Sequence, residues 1–143
     1  MLYLDTAVVL TLFVGERTSA AVESWLAQRP QPLAFSDWGL TECASALGIK
    51  CRRRELDAET AARAFAAIAA FARQSCERIV CAAQHQAEAQ AMLGRFDLNL
   101  RAGDALHLAM CGHAGATLVA YDTLLLAAAS TLGIKALNPL GRD

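Results

Sequence analysis

Twice in this chain a short apolar run stops at an aspartate and a helical pattern begins at once. Leu2-Tyr3-Leu4 runs into Asp5, and Thr117-Leu118-Val119-Ala120-Tyr121 runs into Asp122. A run with no polar face suits a parallel strand covered by helices on both sides. Parallel strands are joined by crossovers of one hand, which bring their carboxyl ends to one edge of the sheet. In open α/β sheets that edge holds the ligand crevice. An acid directly after a strand therefore stands at the crevice, and the question is how many others join it.

The rest of the chain follows the same alternation. Leu33-Ala34-Phe35 predicts a second strand ending at Ser36-Asp37, Arg78-Ile79-Val80-Cys81 a weaker third, and Ile134 to Leu137 a short last one. Between them, helices are expected over 7–13, closed by Gly15, and from Thr18 or Ser19 to the Arg29-Pro30-Gln31-Pro32 break, with Ala21, Val22, Trp25 and Leu26 on the apolar face. Ser36 suits the N-cap of a helix over 37–51, and Asp57 that of an alanine-rich helix over 58–75. Residues 84–95 predict a further helix, headed by His85, with Ala87, Ala91, Met92 and Leu93 inside. A last helix runs over 123–132 and is closed by Gly133. Strands alternating with helices predict a parallel α/β sandwich, and 143 residues suit one domain over 1–143.

Two more acids fall at the same edge. Glu42 borders the buried stripe Leu40, Cys43, Ala44, Leu47 and Cys51, early in a helix that follows a strand. Asp104 stands in the first turn of a helix that packs through Ala105, Leu108 and Ala109, where a plain helix-capping role is the alternative. His107, one turn further on, reads as a polar neighbour of the site rather than a catalyst. Asp5, Glu42, Asp104 and Asp122 so gathered would repel one another unless protonated or bound to a cation. Oxygen donors without Cys or His favour Mg²⁺ or Mn²⁺, and such ions suit phosphodiester hydrolysis.

Composition narrows the class. With 55% hydrophobic and 19% charged residues the chain is not disordered. Glu16, Arg17, Glu23 and Arg29 interrupt the early apolar stretch before it reaches membrane-spanning length, and no basic stretch precedes an apolar one as in a secretory leader. Cys43, Cys51, Cys76, Cys81 and Cys111 are odd in number and lack CxxC spacing, which points to reduced thiols in a cytoplasmic protein. The net charge of −1 does not exclude a nucleic-acid partner, because setting four carboxylates aside as metal ligands leaves the remainder positive. Arginine outnumbers lysine 11 to 2, and guanidinium is the better bidentate phosphate ligand. Arg52-Arg53-Arg54 is a candidate phosphate patch, or else a solvated basic turn that complements a helix dipole.

The order Leu4-Asp5-Thr6, Ser36 followed by Glu42, Gly103-Asp104-Ala105-Leu106-His107-Leu108-Ala109, Val119-Ala120-Tyr121-Asp122, then Ala127-Ala128 and Gly133-Ile134, resembles a PIN domain. It is most similar to the VapC toxins of bacterial type II toxin–antitoxin systems, over nearly the whole chain. The resemblance implies a PIN-like three-layer α/β/α sandwich with a central parallel β-sheet. It implies a Mg²⁺- or Mn²⁺-dependent endoribonuclease, usually dimeric, held inactive by a VapB-type antitoxin as a toxin–antitoxin hetero-oligomer. On that likeness Asp5, Glu42, Asp104 and Asp122 form the acidic quartet that binds metal and catalyses, and Thr6 is the hydroxyl residue beside the first acid. Arg52, Arg53, Arg54 and Arg101 are the candidates for the RNA backbone, and the alanine-rich helix for a dimer face. The chain departs from the family pattern at Ala120, where Ser or Thr is common, and at Thr123, where a basic residue is common. Two alternatives stand beside it. A phosphatase with Asp5 as nucleophile would favour a second Asp where Ala7 stands, and a degenerate PIN fold would serve only to bind a protein.

Overall fold

The computed structural model describes residues 1–15 and 17–141. Five parallel strands, β1 (Leu2–Leu4), β2 (Leu33–Ser36), β3 (Cys76–Ile79), β4 (Thr117–Val119) and β5 (Ala136–Leu137), form one sheet in the order β3-β2-β1-β4-β5. Among the described residues there are seven helices: α1 (Thr6–Val14), α2 (Ser19–Ala27), α3 (Asp37–Arg52), α4 (Ala58–Ser75), α5 (Ala83–Leu93), α6 (Ala102–His113) and α7 (Thr123–Thr131).

Side chains that alternate along the strands divide the core in two. Leu2, Leu4, Phe35 and Val119 face α1–α4 through Val8, Val22, Cys43, Leu47 and Ile68. Tyr3, Ala34, Leu118 and Ala120 face the other way, against Leu108, Met110, Leu125 and Ala129 of α6 and α7. The result is a three-layer α/β/α sandwich, as the strand runs predict. The chain builds outward from β1 to β2 and β3, then returns to lay β4 on the free side of β1. The strand order reverses between β1 and β4, and at such a switch point the sheet edge opens a crevice.

Local chemistry sets the helix starts. Ser36 Oγ accepts the Gly39 N–H at 3.0 Å and caps α3, while Asp57 accepts the Thr60 N–H at 2.6 Å and caps α4. Asp37, a fifth acid near a strand end, is used structurally: its carboxylate accepts the Cys81 N–H at 2.9 Å beyond β3. The five cysteines are free, and no helix of the described residues is long and apolar enough to cross a membrane.

Expectations change at β3 and α5. The third strand lies at Cys76–Ile79 rather than 78–81. It is an edge strand with Glu77 and Arg78 exposed, so its apolar signal is weak, and it follows α4 with no intervening loop. On α5 the buried residues are His85 and Ala89, whereas Ala87 and Ala91 are exposed. His85 turns inward because its Nδ1 accepts the Ala82 N–H at 3.0 Å and its ring meets His113 edge-on at 5.1 Å. Helix α4 is one-sided: Ala61, Ile68 and Ala72 are buried, and Ala62, Phe65, Ala66 and Ala67 are exposed.

Candidate active site

Four separate elements carry the four acids to one place. Asp5 follows β1 directly, and its N–H donates to Val119 O at 3.0 Å, extending the β1–β4 pairing past the strand end. Asp122 follows β4 and caps α7, accepting the Leu124 and Leu125 N–H groups at 2.7 and 3.2 Å. Asp104 lies in the first turn of α6 and accepts the Arg101 N–H at 3.3 Å. Glu42 projects from α3. All four line a single open cleft of about 570 Å³ at the switch point, and no Lys or Arg is among its described lining residues.

Behind the acids lies a buried polar network. Thr6 donates to Glu42 Oε2 at 2.6 Å, and His107 Nε2 lies 2.7 Å from the same oxygen. Nε2 is also 3.3 Å from Thr6 Oγ1 and 3.6 Å from Asp5 Oδ1. The other ring nitrogen, Nδ1, lies 2.7 Å from the Tyr3 hydroxyl oxygen, which is in turn 2.9 Å from Ser36 Oγ. Tyr3 and His107 are 0% and 1% exposed.

The electrostatics differ from acid to acid. Burial raises the pKa of Asp5; the neighbouring His107 and the Thr6 N–H oppose the shift, and Glu42 adds to it. Burial also raises Asp104, and the nearby Asp122 charge pushes it the same way. Glu42 is moved up by burial but further down by His107, Thr6 and Trp38, and ends below its ordinary value. The Trp38 indole N–H stands near this carboxylate without completing a hydrogen bond among the described residues.

The donor set suits a hard cation. Four carboxylates face one cleft with no Lys or Arg among its described lining residues, and two of them hold protons more tightly than a free carboxylate does. A divalent ion would relieve both effects. As the side chains stand, no three His, Cys, Asp or Glu of the described residues form a ready-made metal site. Glu42 Oε2 is turned toward Thr6 and His107.

The remaining predicted residues lie outside the cleft. Arg52, Arg53 and Arg54 are exposed at the end of α3, and Arg101 is exposed at the N-cap of α6 beside Asp104. The sequence reading understated His107 and passed over Tyr3, Ser36 and Gly103 as site residues. One signal was available: a tyrosine inside an aliphatic buried strand must find a partner for its hydroxyl.

The profile of the PIN-domain family matches residues 2–131. No curated protein sequence matches the chain. Among solved structures, the fold is similar to VapC20 of Mycobacterium tuberculosis, described as a sarcin–ricin loop cleaving toxin: TM-score 0.73 and 20% identity, covering 94% of this chain and 96% of that one. It is similar to FitAcB from Neisseria gonorrhoeae, with TM-score 0.72 and 16% identity over 99% and 100% of the two chains. It is also similar to VapBC2 from Rickettsia felis, bound to a DNA fragment from their promoter, with TM-score 0.66 and 16% identity over 96% and 98%. At these identities the likeness is one of fold.

Proposed function

The chain belongs to the PIN-domain family, and on that premise we propose that it is a divalent-metal-dependent endoribonuclease, the toxin of a VapBC-type toxin–antitoxin pair. The observation that carries the proposal is the convergence of Asp5, Glu42, Asp104 and Asp122 on one cleft with no Lys or Arg among its described lining residues. Such a cleft repels a phosphodiester unless a cation stands in it.

Asp5, Glu42, Asp104 and Asp122 would hold Mg²⁺ or Mn²⁺, which supplies positive charge to the scissile phosphate and makes water a competent nucleophile near neutral pH. Asp5 sits deepest, fixed by its backbone bond to β4. Glu42 is held from behind by Thr6 and His107. Asp104 and Asp122 approach from α6 and α7, and Asp122 is exposed and suited to orient the attacking water.

RNA leaves the cleft along α3. Ser45, Ala46 and Ile49 continue the cleft wall beyond Glu42. At 100° per residue the C-cap Arg53 returns close to the azimuth of Glu42, about 16 Å along the helix, and Arg52 and Arg54 are exposed beside it. Arg101 meets the backbone near Asp104. One similar structure, from Klebsiella pneumoniae, is described as a toxin–antitoxin complex, and the similar FitAB, VapBC2 and VapBC structures are described as bound to DNA, which supports an antitoxin partner and a hetero-oligomer for this chain. A homodimer through α4 and a cytoplasmic location complete the reading of a single domain over 1–143.

Expression of the chain in bacteria without an antitoxin tests the proposal. Growth arrest with new RNA 5′ ends is the expected result, absent for Asp104→Asn at equal protein level. Equal arrest by both proteins, or intact RNA in arrested cells, would overturn it.

A further inference from the structure

We infer that Tyr3 and His107 are positioning residues that hold Glu42 in the cleft. The inference rests on the metal-dependent reading above and adds a device that the four acids do not supply.

The bonds form a closed loop. It starts at the N-cap of α3, where Ser36 Oγ is held by the Gly39 N–H at 3.0 Å. It passes to β1 through the Tyr3 hydroxyl at 2.9 Å, to α6 through His107 Nδ1 at 2.7 Å, and returns to α3 at Glu42 Oε2 through Nε2 at 2.7 Å. The loop joins residues 33, 104 and 65 positions apart in sequence. The anchor therefore caps the helix that carries the positioned carboxylate, and the two residues between them fix both the seat of α3 and the direction of Glu42. An ionised carboxylate only accepts, so the proton between Nε2 and Oε2 belongs to His107.

An apolar pair would fill this volume without burying polar groups. What it would lack is the second donor to Glu42 Oε2. The Glu42 side chain is 29% exposed, and without that donor only the Thr6 hydroxyl, at 2.6 Å, restrains it. Partners that orient a metal ligand from behind affect metal affinity roughly ten- to a hundredfold.

The test is calorimetric titration with Mn²⁺ alone on the full chain. The proteins are wild type, Tyr3→Phe, His107→Leu, His107→Gln, Glu42→Gln and the His107→Leu/Glu42→Gln double variant, each checked for folding by circular dichroism. His107→Leu is expected to weaken Mn²⁺ binding roughly tenfold, and Tyr3→Phe to weaken it by less. His107→Gln, whose amide presents an N–H toward Glu42, should recover most of the loss. In the double variant the loss should be close to that of Glu42→Gln alone, because His107 acts through Glu42. Wild-type affinity in folded His107→Leu and Tyr3→Phe, or additive losses in the double variant, would overturn the inference. Should His107→Leu not fold, Tyr3→Phe and His107→Gln decide: wild-type affinity in Tyr3→Phe with loss in His107→Gln would overturn it. A wild-type protein that binds Mn²⁺ but cleaves no RNA removes the nuclease reading and leaves this one standing. A wild-type protein that binds no Mn²⁺ removes both.

Discussion

Glu42 Oε1 occupies the space that any residue other than glycine would need at position 103: a Cβ built there would stand 2.6 Å away. The first turn of α6 thus passes against the carboxylate on α3, which explains why a glycine stands just before Asp104. Gly103→Ala should therefore separate stability from function. Alanine favours the helix by up to about 1 kcal/mol, which offsets part of the cost of moving Glu42 off Thr6 and His107. The melting temperature should change by only a few degrees, while RNA cleavage falls at least about tenfold as Glu42 is displaced. Thermal melts and cleavage rates on one preparation check both.

Asp5 is 8% exposed, and burial raises its pKa. Between the ordinary carboxylate range and that raised value the folded chain binds more protons than the unfolded one. The contribution of Asp5 to stability therefore grows as pH falls through this window and is lost as pH rises. Asp104 follows the same sign. Glu42, whose pKa is lowered, has the opposite sign, and its contribution is lost as pH falls through its depressed pKa. Asp5→Asn should raise the metal-free melting temperature at neutral pH by a few degrees while abolishing cleavage. Mn²⁺ should stabilise the wild type more than the variant. Melts across pH, with and without Mn²⁺, provide the check.

Asp122 has two duties that substitution can separate. It caps α7 through two backbone N–H groups and presents a charge to the cleft. Asparagine caps as well as aspartate, whereas alanine costs about 1 kcal/mol at such a position. Cleavage should fall in both variants, and denaturant midpoints should fall only in Asp122→Ala.

Arg53 is exposed at the C-cap of α3, outside the cleft; on the proposed RNA path, Arg53→Ala should weaken RNA binding with little change in the chemical step. If it neutralises one phosphate, the salt dependence of binding to single-stranded RNA should flatten by about 0.7 in the log–log slope. Filter binding over a salt series, using Asp104→Asn to prevent cleavage, measures it.

Much of this was legible in the sequence, for identifiable reasons. Helix α4 begins after Asp57 and ends at Ser75 as expected, because an N-cap and a long helical run are local signals. Strand β1 was legible because Leu2, Tyr3 and Leu4 are all buried. Strand β3 was displaced by two residues because an edge strand with exposed Glu77 and Arg78 carries little pattern. The convergence of the four acids on one cleft was legible from topology, since strand ends and the early turns of the following helices share an edge. His107 was read only as a neighbour of the site because its partner Tyr3 lies 104 residues away, a separation to which helical periodicity is blind. The contact between Gly103 and Glu42 depends on how closely α6 and α3 approach, which no local pattern encodes.

The most direct test of the account is cleavage of a structured RNA by purified protein with Mg²⁺, with Mn²⁺ and with EDTA, beside Asp5→Asn prepared identically. The account predicts cleavage with either metal, none with EDTA, and none by the variant. Cleavage that persists in EDTA or in Asp5→Asn would contradict it, as would no cleavage of any RNA in a panel of tRNAs and ribosomal RNA by folded, metal-loaded wild type.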